Sequence, residues 1–252
     1  MLKKISRLCL KMASKKTKFF TSAIILAAGK SERMKEIGTP KQLIDLNGIP
    51  VVVHTLLAFE KSSNIHEILV VAGAAELPLY REFKKKYGIT KLTLAVEGGA
   101  TRAESASHGF QKIDKKAEFV LIHDAARCLI STEDIDHIVK EAYRSGAAIA
   151  AKKTTDTLKR ADENGNIIET IDRSMMWQAQ TPQVFKKTIY EVALAVANST
   201  DVTITDDSML VERAGFQVKL VACASENMKI TTKQDLELAK IMMEKKTEVG
   251  SV

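Results

Sequence analysis

The chain has 252 residues, 45% hydrophobic and only 5% aromatic, with a formal net charge of +7. That length and balance describe one soluble globular α/β domain, and the longest apolar runs are far too short for a membrane span. The charge is local: residues 1–18 hold seven of the 38 Lys/Arg and no acid, so the rest is formally neutral. A general attraction to nucleic acid is therefore excluded. Cys9, Cys128 and Cys223 are far apart, with no C-x-x-C. This excludes a disulfide framework and a structural zinc, and fits a reducing compartment such as the cytoplasm.

Residues 1–20 form a basic leader that is expected to be disordered. Met12 offers a second start. Leu2, Ile5, Leu8 and Met12 could instead line a short basic amphipathic helix, which would serve as an organellar address. A single domain over 21–246 follows. Ser22–Ala27 is an apolar run suited to a buried strand, and it stops at Ala27-Ala28-Gly29. Lys30, Arg33 and Lys41 come next. A strand that ends in a small-residue loop with exposed amides and nearby cations suits a polyphosphate, because both compensate anionic oxygens. The stretch is neither a dinucleotide fingerprint nor a P-loop.

Gln42–Asn47 reads as a short strand closed by Asn47-Gly48, and a helix covers Val51–Lys61. Glu67–Ala72 is a second buried strand, followed by a helix near Leu79–Lys86 with a solvated Lys84-Lys85-Lys86 run. Leu92–Val96 is a strand that ends at Glu97-Gly98-Gly99. Helix Arg102–Lys112, strand Glu118–His123 and the tetrad Asp124-Ala125-Ala126-Arg127 follow. Helix Thr132–Ser145 takes Ser131 or Thr132 as its N-cap, and Ala147–Ala151 is a further strand. Alternating β and α with short connections predicts a Rossmann-like, mostly parallel twisted sheet with helices on both faces. Ligands then bind outside the carboxyl ends of strands, where the Gly29 loop, the Gly98 loop and Asp124 all fall.

The rhythm breaks at 153–174. Thr154–Arg160 and Ile167–Arg173 read as two β arms around the turn Asp162–Asn166. A lone hairpin has no face to bury, so it is expected to pack on a second copy of the chain. Met175, Met176 and Trp177 are expected to pack at its base. After Trp177–Phe185 come helices Lys186–Ala197 and Asp206–Ala214, strand Gln217–Ala222 and helix Lys233–Lys245.

The chemistry can be argued from residue types. Mg²⁺ needs few carboxylates when phosphate oxygens and water complete its shell, and Asp124 is the best single candidate. Arg33 and Lys41 would stabilise charge on reacting phosphates without any protein base or nucleophile. No G-x-S-x-G, H-E-x-x-H or Cys–His pattern argues for covalent or zinc chemistry. His123 reads as packed and hydrogen-bonded, not catalytic.

Seven motifs occur in order: Leu26–Gly29 with Arg33-Met34 and Pro40–Gln42; Gly98-Gly99 with Arg102 and Ser105; His123–Arg127; Asp156-Thr157 with Lys159; Thr181–Gln183; Ile204–Asp207; and Asn227 with Lys229–Thr231. Together they resemble the 2-C-methyl-D-erythritol 4-phosphate cytidylyltransferases, CTP-using enzymes of the non-mevalonate isoprenoid pathway, over about residues 22–245. The resemblance implies direct attack by the acceptor's phosphate on the α-phosphorus of CTP, with release of pyrophosphate. It assigns Arg33, Lys41 and Lys229 to catalysis. Ala27, Ala28, Gly29, Gly98, Arg102, Ser105 and Asp124 would bind the nucleotide, and Asp124 the Mg²⁺. Arg127, Thr157, Arg173, Thr181 and Thr205 would surround the sugar-alcohol phosphate, Thr157 and Arg173 reaching into the neighbouring subunit of a homodimer. Cys128 stands where proline usually follows the His123–Arg127 motif, which frees the backbone beside Asp124. Ala100 stands where some members carry an acid, and Lys30 adds a charge to the first loop. The alternatives are a cytidylyltransferase for another polyol phosphate such as ribitol 5-phosphate, and a non-catalytic nucleotide binder. Ala27-Ala28-Gly29 favours methylerythritol phosphate over the glycine-richer opening of ribitol-type relatives.

Overall fold

The computed structural model of the chain describes residues 19–29, 38–197, 204–223 and 227–249. Residues 1–18 of the basic leader, Lys30 and Arg33 lie outside the described residues. Phe19 and Phe20, expected within the disordered leader, instead pack on the domain, Phe19 against Phe119 and Tyr143 and Phe20 on His66. The sheet is built around β1 (Thr21–Leu26), five of whose six residues are buried. β1 pairs in parallel with β4 (Glu67–Ala72) and with β6 (Phe119–Asp124). β5 (Leu92–Glu97) pairs in parallel beyond β4. On the other side β10 (Trp177–Lys186) lies antiparallel between β6 and β7 (Ala147–Lys153), and β11 (Lys219–Ala222) pairs in parallel with β7. The seven-stranded order is β11-β7-β10-β6-β1-β4-β5. From β1 the chain steps outward to β4 and β5, then crosses back to β6. The crevice between the ends of β1 and β6 is thus the point where the winding reverses, the place such sheets bind ligands.

Helices cover both faces. On one face α1 (Val51–Lys61), α2 (Leu77–Tyr87) and α4 (Thr132–Ser145) set Leu56, Phe59, Tyr80 and Ile138 against Ile25, Val70 and Leu121. On the other, α3 (Arg102–Phe110), α5 (Lys187–Ala197) and α6 (Asp207–Arg213) set Ala106, Tyr190 and Val211 against Ile24, Val71, Ile122 and Phe185. Burial of strands on both sides explains why they read as continuous apolar runs. Local signals set the helix ends. Ser131 caps α4 by accepting from the Asp134 amide, and Gly146 closes it in the left-handed conformation at φ 84°. A third, smaller cluster joins Leu46, Val51, Cys128, Leu129 and Ile230 to Ala239 of α7 (Lys233–Val249).

Two further expectations are corrected. Of Gln42–Asn47 only Asp45–Leu46 is a strand (β2): Lys41–Leu43 is a 3-10 turn, and β2 forms with β3 (Ile49–Pro50) a two-residue hairpin. Asn47 and Gly48 both take positive φ, 55° and 83°, the turn that Asn-Gly favours. The Asn47-Gly48 turn forms as its residues dictate, but the run before it is too short to extend. The second correction concerns Met175, which is 77% exposed and does not pack on its own chain. Met176 and Trp177 are half-buried, with Lys153 Nζ 5.4 Å above the Trp177 ring. The arm is present as an antiparallel pair, β8 (Leu158–Ala161) and β9 (Ile167–Ile171), carried outside the main sheet at the tip of the β7–β10 excursion.

Candidate active site

The carboxyl ends of β1, β5 and β6 meet around one cavity of about 230 Å³. Ala27, Ala28, Gly29, Lys41, Arg102, Ser105, Asp124 and Lys229 all line it. Gly98 lies in an adjoining recess with Ala28 and Gly29. The small residues are required by close approach. A Cβ on Gly98 would lie 2.4 Å from Ala28 Cβ and 2.9 Å from Ser105 Oγ. The loop ends are fixed by the sheet itself: the Ala27 amide donates to Val71 O at 2.7 Å and the Gly98 amide to Ala72 O at 2.9 Å. Ser105 is buried, accepting from the Gly99 amide and donating to Thr101 O. Glu104 anchors the same loop, its carboxylate accepting from the amides of Ala100 and Thr101 in a capping box with Thr101.

The electrostatic centre is Asp124, the last residue of β6. Its Oδ1 accepts from Arg102 Nε at 3.1 Å, and its Oδ2 from Lys229 Nζ at 2.7 Å. Burial by itself would raise this carboxyl, but the two cations outweigh it and hold Asp124 well below the usual carboxylate range. Among the described residues no group of three or more His, Cys, Asp or Glu gathers as a metal cage. One ionised carboxylate on a cavity wall, each oxygen with a lone pair to spare, suits Mg²⁺ that is otherwise held by phosphates and water. The donor set therefore fits such an ion.

Beneath Asp124 a relay holds the loop. The Asp124 amide donates to Thr181 Oγ1 at 3.0 Å. Because Arg127 O can only accept, the neutral His123 carries its hydrogen on Nε2, donating to that oxygen at 3.3 Å, and leaves Nδ1 to accept from the Thr181 hydroxyl at 3.1 Å. His123 is fully buried and hydrogen-bonded, as the sequence predicted, and that burial pushes it down to about 3 so that it stays neutral. Arg127 Nη1 donates to Asn227 O, and Asn227 Nδ2 donates to Gln180 Oε1 and Thr181 O. The Ile230 amide donates to Ala126 O at 2.8 Å. These bonds tie the Lys229 segment to the Asp124 loop. Cys128, 4% exposed, packs in the small third cluster, so that loop is held from two sides despite the missing proline.

The remaining expected residues lie elsewhere. Thr181 and Arg127 sit directly behind Asp124. Thr205 is exposed, its hydroxyl against Met209 Sδ at 3.5 Å. Thr157 and Arg173 are exposed on the arm, where Arg173 Nη1 donates to Thr155 O. Among the described residues none of the three lines the cavity. Sequence reasoning missed Asp207 and Tyr190. Arg102 Nη1 donates to Asp207 Oδ2 at 2.6 Å, and Tyr190 Oη donates to Asp207 Oδ1 at 2.7 Å. The doubled acid Asp206-Asp207 was the available signal. Only Asp206 follows the local logic of a cap, accepting from the Met209 amide.

A doubly wound sheet whose strand ends gather small-residue loops, cations and one ionised carboxylate defines the class of α/β nucleotidyltransferases. The comparisons narrow it. The family model described as 2-C-methyl-D-erythritol 4-phosphate cytidylyltransferase matches residues 21–245, and the chain belongs to that family. Relatives bearing this description include one from Alkaliphilus metalliredigens, 42% identical over 85% of this chain and 89% of its own length. Another, from Syntrophus aciditrophicus, is 40% identical over 88% and 95%. Among solved structures, the 4-diphosphocytidyl-2C-methyl-D-erythritol synthase of Anaerococcus prevotii superposes with a TM-score of 0.81 at 28% identity, covering 90% of this chain and 97% of that one. The 2-C-methyl-D-erythritol 4-phosphate cytidylyltransferase of Thermus thermophilus gives 0.73 at 29%, covering 89% and 98%.

Proposed function

We propose that the chain transfers CMP from CTP to 2-C-methyl-D-erythritol 4-phosphate, giving 4-diphosphocytidyl-2-C-methyl-D-erythritol and pyrophosphate in isoprenoid precursor synthesis. The observation that carries this reading is the convergence of Lys41, Arg102 and Lys229 with the ionised Asp124 on a cavity walled by Ala27–Gly29. No nucleophile is required of the protein: the acceptor's phosphate oxygen forms the new bond to the α-phosphorus as the bond to pyrophosphate breaks. The Ala27–Gly29 and Gly98-Gly99 loops bind the nucleotide by close backbone approach. Lys41, with Arg33, stabilises charge that builds on the phosphates, and Lys229 holds the acceptor's phosphate in line beside Asp124. Mg²⁺ on Asp124 would supply charge neutralisation at the reacting phosphates.

The reading extends to a homodimer. The arm exposes Ile167 at 65% and Ile168 at 54%, an apolar surface that a second copy would cover. Arg173 and Thr157, which do not line their own cavity, would then complete the acceptor pocket of the partner, with Arg127, Thr181 and Thr205. The test is pyrophosphate release from CTP and Mg²⁺ with methylerythritol phosphate and ribitol 5-phosphate in parallel. Release with the first alone is expected. Release with ribitol 5-phosphate alone would overturn the acceptor, and CTP binding without release from either would leave only a nucleotide binder.

A further inference from the structure

We propose that Asp207, fixed by Tyr190, is the positioning residue for Arg102 in the nucleotide pocket; this rests on the assignment of that cavity to CTP. Arg102 opens α3 and lines the cavity, whereas neither Asp207 nor Tyr190 does. Asp207 sits in the first turn of α6, 1% exposed, with one oxygen on Arg102 and the other on the Tyr190 hydroxyl. A carboxylate placed in so dry a site is unfavourable unless every lone pair finds a strong donor. An apolar residue would pack α6 as well, so the charge points to a task at Arg102.

The task follows from the geometry of the guanidinium. A free arginine beside Asp124 would take it by two parallel N–H···O bonds, the preferred fork. Here Arg102 gives Asp124 only Nε, at 3.1 Å, while Lys229 Nζ holds the other Asp124 oxygen at 2.7 Å and Asp207 grips the opposite end of the guanidinium through Nη1 at the shorter 2.6 Å. Nη2 is buried and has no hydrogen-bond partner among the described residues. Asp207 therefore anchors the guanidinium from its far end and fixes the angle at which Nε meets Asp124 on the pocket wall. Tyr190 keeps Asp207 in place. Its ring is fully buried, stacked on Phe185 with centroids 5.5 Å apart and edge-on to Phe110 at 5.0 Å. The hydroxyl is thus aimed by rings from β10, α5 and α3 together.

The test compares Asp207→Asn and Tyr190→Phe with the wild-type chain in steady-state kinetics, with the melting temperature as a check on folding. Loss of one charge-assisted hydrogen bond predicts a rise of about tenfold in the KM for CTP for Asp207→Asn, and about threefold for Tyr190→Phe. The KM for the acceptor should stay unchanged, and kcat should fall less than the KM for CTP rises. In an Arg102→Gln background, Tyr190→Phe should have no further effect on the KM for CTP, because the residue acts through Arg102. Tyr190→Phe keeps the ring packing, so it bears the test should Asp207→Asn not fold. An unchanged KM for CTP in folded variants, or a Tyr190→Phe effect that persists without Arg102, would overturn the proposal. Absence of CTP turnover in the wild-type chain would instead remove the functional assignment, and the clamp with it.

Discussion

Asp124 is ionised because of its neighbours, and Lys41 and Lys229 matter because they are cations at a wall otherwise made of small residues and backbone. Lys41→Ala should lower turnover by about 10²–10³, the loss typical of one preorganised charge donor, while the fold survives. Rapid-quench measurement of pyrophosphate would show it, and an unchanged rate would strip Lys41 of its role. His123 allows a prediction with a definite sign. Its folded value lies near 3, below the ordinary 6.5, so between those limits only the unfolded chain takes the proton. Stability is therefore complete above about pH 6.5 and falls as pH drops towards 3, by about 1.4 kcal/mol per pH unit from this residue. Urea midpoints should follow that slope, and His123→Gln should flatten it between pH 6.5 and 5.

Between elements, the close contacts of glycines separate packing from function. Gly109 of α3 lies against β1 and β4: an added Cβ would stand 2.6 Å from Ile24 Cγ2 and 2.9 Å from Val71 Cγ2. Gly109→Ala should cost about 1–3 kcal/mol of stability by overpacking and leave the KM for CTP unaltered in the folded fraction. Gly98→Ala meets Ala28 and Ser105 on the wall of the site, so it should disturb CTP binding as well as stability. Denaturation paired with CTP titration of both variants would decide this. Equal CTP affinity in the two would mean that the Gly98 loop does not shape the pocket. The loops could be read in the sequence because each motif is a local departure from an apolar strand. β10 could not be read as the antiparallel member, since Trp177–Phe185 has no marker of direction.

For the molecule as a whole, the question is how the exposed arm and its residues Thr157 and Arg173 are used. Arg173→Ala should weaken use of the acceptor more than binding of CTP. Mixing Arg173→Ala with Arg127→Ala chains should restore a fraction of active sites if Arg173 serves the partner's site, because a mixed dimer then contains one intact set. No rescue on mixing, with both variants dimeric by sedimentation, would confine Arg173 to its own subunit. Among the described residues no helix is long and apolar enough to cross a membrane.

The sequence by itself determined the mostly parallel sheet, the positions of its strand-end loops and most of the residues at the cavity. Apolar runs, capping residues and glycine breaks are local, and physical chemistry reads them over a few residues. The family motifs added the order in which those pieces recur. Tertiary structure alone decided the rest: the insertion of β10 between β6 and β7, the relay from Asp124 through Thr181 and His123 to Arg127, and the bridge from Arg102 to Asp207. Arg102 and Asp207 are 105 positions apart, and Asp124 and Thr181 are 57 apart. Such pairs are chosen by burial and by the demand that every buried charge and amide find a partner, a condition imposed by the folded chain as a whole.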